Sequence, residues 1–326
     1  MVQRSHLDVL VIGTASVDIV FGGMPHWPKL GQEMYVKEFA VGVGSVFNTA
    51  STLSRLGLRV GLMTELGNDF FSRYILEEID KAGICRDFVT INDFPMRTVS
   101  ICLAHEGERG FVSYVDGHTV MHMADSPASG HNIESEEGAK RWKDRWQQQL
   151  REYDIDAVFL YVHPYIHPLL DLFVDRDISI FLDAGWHPEE LADERLTEVI
   201  KRGHVLMPNQ MEAMFMTGTQ TAEEAALALA QWVPTAIVKA GARGVVACKN
   251  GEIAYCPAFP IKEVVDTTGA GDAFDGGFIY GSLKGYSFME ALRCGTICGS
   301  LSTTAPTGTA AVPNAQELEE CLQKAF

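Results

Sequence analysis

Val264-Val265-Asp266-Thr267-Thr268-Gly269-Ala270-Gly271-Asp272-Ala273-Phe274-Asp275-Gly276-Gly277 is the stretch on which the reading of this chain turns. It reads as a strand end, a turn of small residues and a helix opening at Asp272. Unpaired N–H groups in such a turn, backed by the positive end of a helix dipole, make a site for an anion. Glycine lets a phosphate oxygen approach the main chain without meeting a Cβ. A carboxylate in the same turn repels phosphate, so anion binding alone leaves Asp272 unaccounted for. Its presence makes sense if it takes the proton from a hydroxyl that attacks phosphorus. The structural alternative is an aspartate N-cap.

The run resembles the Asp-Thr-x-Gly-Ala-Gly-Asp-x-Phe signature of the PfkB (ribokinase-like) family of carbohydrate kinases. That resemblance implies an ATP-dependent transfer to a sugar hydroxyl. Asp272 would be the general base, and the backbone N–H groups of Gly269, Ala270 and Gly271 would stabilise the γ-phosphoryl oxygens, with Mg2+ bridging the phosphates.

Working outward, Gly42 to Gly57 resembles the family's first signature, a Gly-Gly pair followed by Asn and Arg-Leu-Gly. Gly44, Asn48, Arg55, Leu56 and Gly57 match, while Val43 stands where the first glycine is usual and Gly42 takes its part. The resemblance puts the Gly44 backbone and Asn48 on sugar hydroxyls; an N-cap is the equal local reading of Asn48. Gly13-Thr14-Ala15-Ser16-Val17-Asp18 resembles Gly-x-x-Asn-x-Asp. Asp18 there accepts from two adjacent hydroxyls, and Ser16 in place of asparagine points to a different hydroxyl pattern. Arg97 and Tyr114 lie on the expected lid, where they would contact an acidic sugar. His163 follows a strand where relatives carry a sugar-contacting acid, so that it would read a hydroxyl or a carboxylate. For His163 a satisfied structural histidine is the equal alternative.

Pro208-Asn209-Gln210-Met211-Glu212 resembles Asn-x-x-Glu. One helical turn sets Asn209 and Glu212 on one side, and the resemblance has them hold Mg2+ through its waters. Without it, an Asn cap with Glu at the third helical position is the better reading. Lys239-Ala240-Gly241-Ala242-Arg243-Gly244 resembles the nucleotide loop, with Lys239 or Arg243 offsetting phosphate charge. Gly299 to Gly308, including Gly299 and Thr303, matches the adenine-lining region, and Thr268 faces the same nucleotide. The resemblance leaves open a monovalent cation such as K+ beside Asp266 and Thr268, where ribokinase-like relatives hold one. Two other nucleotide motifs are excluded: Gly42-Val43-Gly44-Ser45-Val46-Phe47 has Phe at the third glycine of the dinucleotide fingerprint, and no Gly-Lys-Ser/Thr occurs.

The bulk figures agree. A chain of 326 residues buries a sizeable core, and 47% hydrophobic with 21% charged residues is ordinary for a soluble enzyme. The net charge of −17 argues against nucleic acid or an anionic membrane as partner. Leu7 to Ile12 is too short for a membrane span or signal. Seven cysteines without a Cys-x-x-Cys pair read as reduced thiols of a cytoplasmic protein.

Buried strands are expected at Leu7–Ile12, Arg59–Thr64, Ala157–Val162, Ile178–Leu182, Val205–Met207 and Ala236–Lys239, alternating with helices. Shorter strands are expected at Val17–Gly22, Met34–Phe39, Thr98–Ala104 and Gly110–Val115, with a loop over 117–140 and a helix from Trp142 to Tyr153. The fold expected is α/β and ribokinase-like, a single domain over 1–326. Its mostly parallel central sheet has helices on both faces, and a small antiparallel lid comes from about 17–39 and 97–115. The resemblance suggests a homodimer through lid edges. The alternatives are a nucleoside or phosphosugar kinase of the same fold, and a catalytically silent sugar- or nucleotide-binding regulator.

Overall fold

The apolar runs of the sequence become the interior strands of a nine-stranded sheet. In a computed structural model, which describes residues 4–105, 108–116, 143–144, 146–164, 166–185 and 191–325, its order is β13-β12-β11-β10-β9-β8-β1-β4-β5. Strands β1 (Ser5–Ile12), β4 (Val60–Leu66), β5 (Val89–Ile91), β8 (Tyr153–Tyr161), β9 (Ser179–Asp183), β10 (Val205–Leu206) and β11 (Thr235–Lys239) run parallel. The antiparallel pair β12 (Val245–Lys249) and β13 (Glu252–Cys256) closes one edge. Alternate residues of each strand enter two separate cores. Leu10, Ile12, Val158, Leu160 and Ile180 pack on one face, and Val9, Val11, Phe159, Phe181 and Ile237 on the other. Coverage of both faces is why these strands read as continuous apolar runs rather than alternating ones.

Helices α1 (Val46–Arg55), α7 (Ala270–Leu283) and α8 (Phe288–Ser302) lie in the second core. Helices α2 (Phe70–Lys81), α3 (His167–Val174), α4 (Leu196–Ile200), α5 (Gln210–Thr217), α6 (Ala222–Leu229) and α9 (Ala315–Ala325) complete the named set. Asp69 caps α2, accepting from the Ser72 N–H at 3.1 Å, a bond typically worth ~1 kcal/mol. Helices α7 and α8 approach closely because Gly277 has no side chain: a Cβ there would fall 2.5 Å from the Cys294 carbonyl oxygen.

A separate four-stranded sheet has the order β3-β2-β6-β7, from β2 (Ala15–Gly22), β3 (Glu38–Ser45), β6 (Thr98–His105) and β7 (Glu108–Val115). It corrects three expectations. The strand expected at Met34–Phe39 lies instead at Glu38–Ser45, beyond the expected 17–39 segment, because Gly42 and Gly44 sit inside a strand rather than in a loop. The sheet is mixed, since β2 and β6 pair in parallel. Strand β7 begins at Glu108, two residues before the strand expected at Gly110–Val115. The expected loop over 117–140 and residue Trp142 lie outside the described residues, while Trp146 is buried.

Candidate active site

The carboxyl ends of β8, β9 and β11 place Tyr161, Asp183 and Lys239 side by side, at the edge where parallel sheets take their ligands. Helix α7 arrives over this edge with Asp272 and Asp275. It begins at Ala270 rather than at Asp272, with Gly269 as its N-cap in the left-handed conformation (φ 72°), and no strand precedes the turn, where Val264 and Val265 are exposed. Asp272 is therefore the third residue of the helix and not its cap. A side chain at Gly269 would fail twice over: besides its φ, a Cβ would stand 2.7 Å from both Asn48 Nδ2 and Gly308 Cα.

Both oxygens of Asp272 are held. The Tyr161 hydroxyl donates to Oδ1 at 2.5 Å and Asn48 Nδ2 donates to Oδ2 at 3.0 Å. Thr49 Oγ1 donates to the Asp272 carbonyl at 3.2 Å. Burial raises the Asp272 carboxyl, while the Tyr161 and Asn48 bonds and the Lys239 ammonium pull it back down. Asn48 is 2% exposed, and its Oδ1 is buried without a hydrogen-bond partner. Such an orphaned acceptor beside a carboxylate is built for a donor that comes from outside the chain.

Asp18 stands on β2 across from these groups, with Ser16 Oγ donating to its Oδ1 at 2.9 Å. Burial first, then the charges of Asp272 and Asp266, push its carboxyl up to about 6. Gly44 is required beside it, since a Cβ would lie 1.9 Å from Asp18 Oδ2. Gly42 packs against Thr307, with Cγ2 at 3.0 Å from where its Cβ would be. Ser16, Asp18, Gly44, Asn48 and Asp272 thus gather as the sequence indicated.

The other expected residues divide. The Lys239 ammonium is tied to Asp183 Oδ2 at 2.8 Å and to both Asp275 oxygens at 3.1 Å, with side chains 11%, 8% and 0% exposed. Asp183, Asp272 and Asp275 come within reach of a single ion, yet the ammonium already neutralises two of them. Asp266 is buried and clamps its own turn, its oxygens accepting from the Thr268 N–H at 2.8 Å and the Thr307 N–H at 3.0 Å. Within the expected anion hole, the Ala270 N–H donates to the Thr267 carbonyl at 3.2 Å. The first-turn N–H groups that follow have no carbonyl one turn back within the helix.

Asn209 and Glu212 form a reciprocal capping box on α5: the Glu212 N–H reaches Asn209 Oδ1 at 3.0 Å, and the Asn209 N–H reaches Glu212 Oε2 at 2.8 Å. The same Glu212 is 5% exposed and lies in the acidic field. Burial and Asp183 raise its carboxyl to about 7, against the pull of Lys239. Arg97 is engaged elsewhere, with Nε 2.9 Å from Asp116 and the guanidinium over the Tyr114 ring at 5.4 Å. His163 is buried just beyond β8, near Asp193, whose carboxyl is lowered chiefly by Arg195 and least by His163.

A cleft of about 400 Å³ lies beside the turn, walled by Lys239, Gly241, Gly244, Gly271, Gly299 and Thr303, with Phe259, Pro260, Phe274 and Thr296. Arg243 is outside it, bonded to the Gln210 side chain, and Thr267 rather than Thr268 reaches the wall. Gly244 and Gly299 answer to packing as well as to the cleft: their Cβ atoms would fall 2.1 Å from the Cys256 carbonyl and 2.9 Å from the Ala270 carbonyl. Sequence reading missed Tyr161, Asp183 and Asp275. The available signal was an ionisable or phenolic group ending a buried apolar run, where burial demands a partner.

A family model for pfkB family carbohydrate kinases matches residues 7–136 and 174–319. The chain is 28% identical to a ribokinase of Bacillus subtilis over 317 residues, covering 97% of this chain and 99% of the relative. It is 25% identical to a cytidine kinase of Thermococcus kodakarensis over 298 residues, 89% and 93% of the two chains. Among solved structures, Arabidopsis thaliana ribokinase complexed with ribose and ATP superposes with a TM-score of 0.75 at 22% identity, covering 97% and 99%.

Proposed function

The chain belongs to the pfkB family of carbohydrate kinases, ATP-dependent phosphotransferases, and from that footing we propose that it phosphorylates a hydroxyl of an uncharged sugar or sugar-derived substrate with Asp272 as base. The observation that carries this reading is the pairing of a held, half-buried carboxylate with the orphaned, buried Asn48 Oδ1. A substrate with neighbouring hydroxyls satisfies both. Asp18 takes further hydroxyls from the small sheet.

The hydroxyl oxygen attacks the γ-phosphorus, its proton passes to Asp272, and the bond to the β–γ bridging oxygen breaks to release ADP. The N-terminus of α7 stabilises charge on the transferring oxygens through first-turn N–H groups and the helix dipole. ATP takes the cleft between Gly241, Phe274 and Gly299. Glu212, buried in the acidic field, suits Mg2+ held through water, and the ion would bridge the phosphates. The small sheet acts as the lid that keeps water from the phosphoryl group. Its outer strands β3 and β7 leave open edges, with Phe39, Phe111 and Val112 exposed, and pairing with a second copy covers them. A monomer mass by light scattering at micromolar concentration overturns that last assignment.

A nucleoside is supported as the second reading by the cytidine kinase relative, because the ribose ring offers the same hydroxyls. A phosphosugar is disfavoured, since Arg97 is committed to Asp116. The test is ADP release from Mg·ATP over a panel of sugars, keto-deoxy acids and nucleosides, with Asp272→Asn alongside. The expected result is a strong acceptor whose turnover falls at least about a hundredfold in the variant while ATP still binds. Near-normal turnover in Asp272→Asn removes the base. Tight binding without turnover of any acceptor returns the silent regulator.

A further inference from the structure

The carboxylate read above as the base is gripped from two unrelated elements, α1 through Asn48 and β8 through Tyr161. We infer that Tyr161 is a positioning residue for Asp272, fixing the plane of its carboxylate and holding it ionised by donating a short hydrogen bond to Oδ1. The inference rests on the reading of Asp272 as base, and it assigns a role to a residue that packs like a core aromatic.

Three observations support it. The two donors meet different oxygens, at 2.5 Å and 3.0 Å, so the carboxylate cannot rotate about χ2 without breaking one of them. Tyr161 ends β8 in register with Asp183, and its ring stands edge-on to Phe159 at 5.9 Å, so the phenol is itself held. Burial, together with the charges of Asp272 and Asp183, raises the phenol well above its usual range. It therefore stays a donor at any working pH.

The surroundings explain why such a donor is needed. The charged and titratable groups around Asp272 are Asp183 from β9, Asp275 from α7 itself, Glu212 from α5, Asp18 from β2 and Lys239 from β11. Four are acidic and one is basic, and the base is shared between Asp183 and Asp275. Burial, with the Asp183 charge, raises the Asp272 carboxyl and so favours its protonated form. A hydrogen bond to the charged form opposes that directly.

The experiment is carbon-13 NMR of aspartate side-chain carboxyls in the folded protein, with the Asp272 signal identified by its loss in Asp272→Asn. In Tyr161→Phe, which keeps the ring, the Asp272 midpoint is expected to rise by about one pH unit or more. The acid limb of kcat for the best acceptor should rise with it, with KM for ATP unchanged. An unmoved midpoint overturns the proposal, because a packing role alone does not alter a carboxylate's titration. Should Tyr161→Phe not fold, 3-fluorotyrosine at position 161 keeps the hydroxyl, strengthens it as a donor and should shift the midpoint downward; no shift overturns the proposal equally. Retained turnover in Asp272→Asn would reject the base, whereas the NMR midpoint tests Tyr161 whatever the acceptor.

Discussion

At the floor of the cleft Lys239 holds Asp183 at 2.8 Å and Asp275 at 3.1 Å away from solvent, whereas on the small sheet Arg97 holds Asp116 at 2.9 Å in the open. The two arrangements look alike on paper and differ in what they do. Buried charges have given up their hydration, so each survives only through its partners, and removing one leaves the others uncompensated. An exposed pair keeps its water and gains little from its geometry. The floor is thus a buried charge network whose field reaches Asp272, while the small sheet is held by strand pairing.

That contrast can be broken in stages. Lys239→Met should cost about 3–5 kcal/mol in urea unfolding, as expected for stranding buried carboxylates; a loss near that of a surface substitution would mean the network is hydrated. Gly44→Ala sits where floor and small sheet meet. Its new methyl displaces Asp18, and KM for the acceptor should rise about tenfold or more with KM for ATP unchanged. Equal rises in both constants would show a general collapse of the cleft.

Asp18 itself supplies a pH test. Its carboxyl is raised from 3.8 to about 6, so the native state binds that proton more tightly than the unfolded chain. The stabilisation is complete at low pH and fades as pH climbs through about 6. Asp18→Asn should therefore flatten the wild-type decline over that window, leaving the variant more stable above it by up to about 3 kcal/mol. KM for the acceptor should rise in the wild type as pH falls through the same window, because a protonated Asp18 accepts fewer hydroxyls. The smallest effect belongs to the open pair: Arg97→Ala should leave the melting temperature within error at moderate salt. A clear drop there would mean that the small sheet relies on charge as the floor does.

Much of this was legible before the structure. The alternation of apolar runs and helices gave the central sheet, because strands covered on both faces have no polar side to obscure them. The glycine turn and Asp272 were legible because a left-handed cap and a close approach at Gly269 admit no other residue. Asn209 and Glu212 show two readings meeting: the capping box forms, and it also carries Glu212 into the acidic field. The two acidic partners of Lys239 were not legible, because only tertiary contacts bring Asp183 and Asp275 to it. β3 was misplaced because glycine signals a loop, whereas here Asp18 crowds a strand so tightly that glycine is needed within it. Tyr161 left only the trace of a phenol closing a buried apolar run, since the periodicity of a core strand is the same whether its last ring carries a hydroxyl or not.

The hydrogen bonds that hold Asp272 span 224 residues to Asn48 and 111 to Tyr161. Contacts of such range close only after most of the chain exists, since the entropy of the intervening loop must be overcome first. During synthesis the residues of the small sheet, Asp18 among them, emerge early, and Asp272 emerges near the end. On the roles proposed above, a chain that stops short of Asp272 carries the groups that would take hydroxyls without the group that would take the proton. The docking of α7 is then the late step that joins the two.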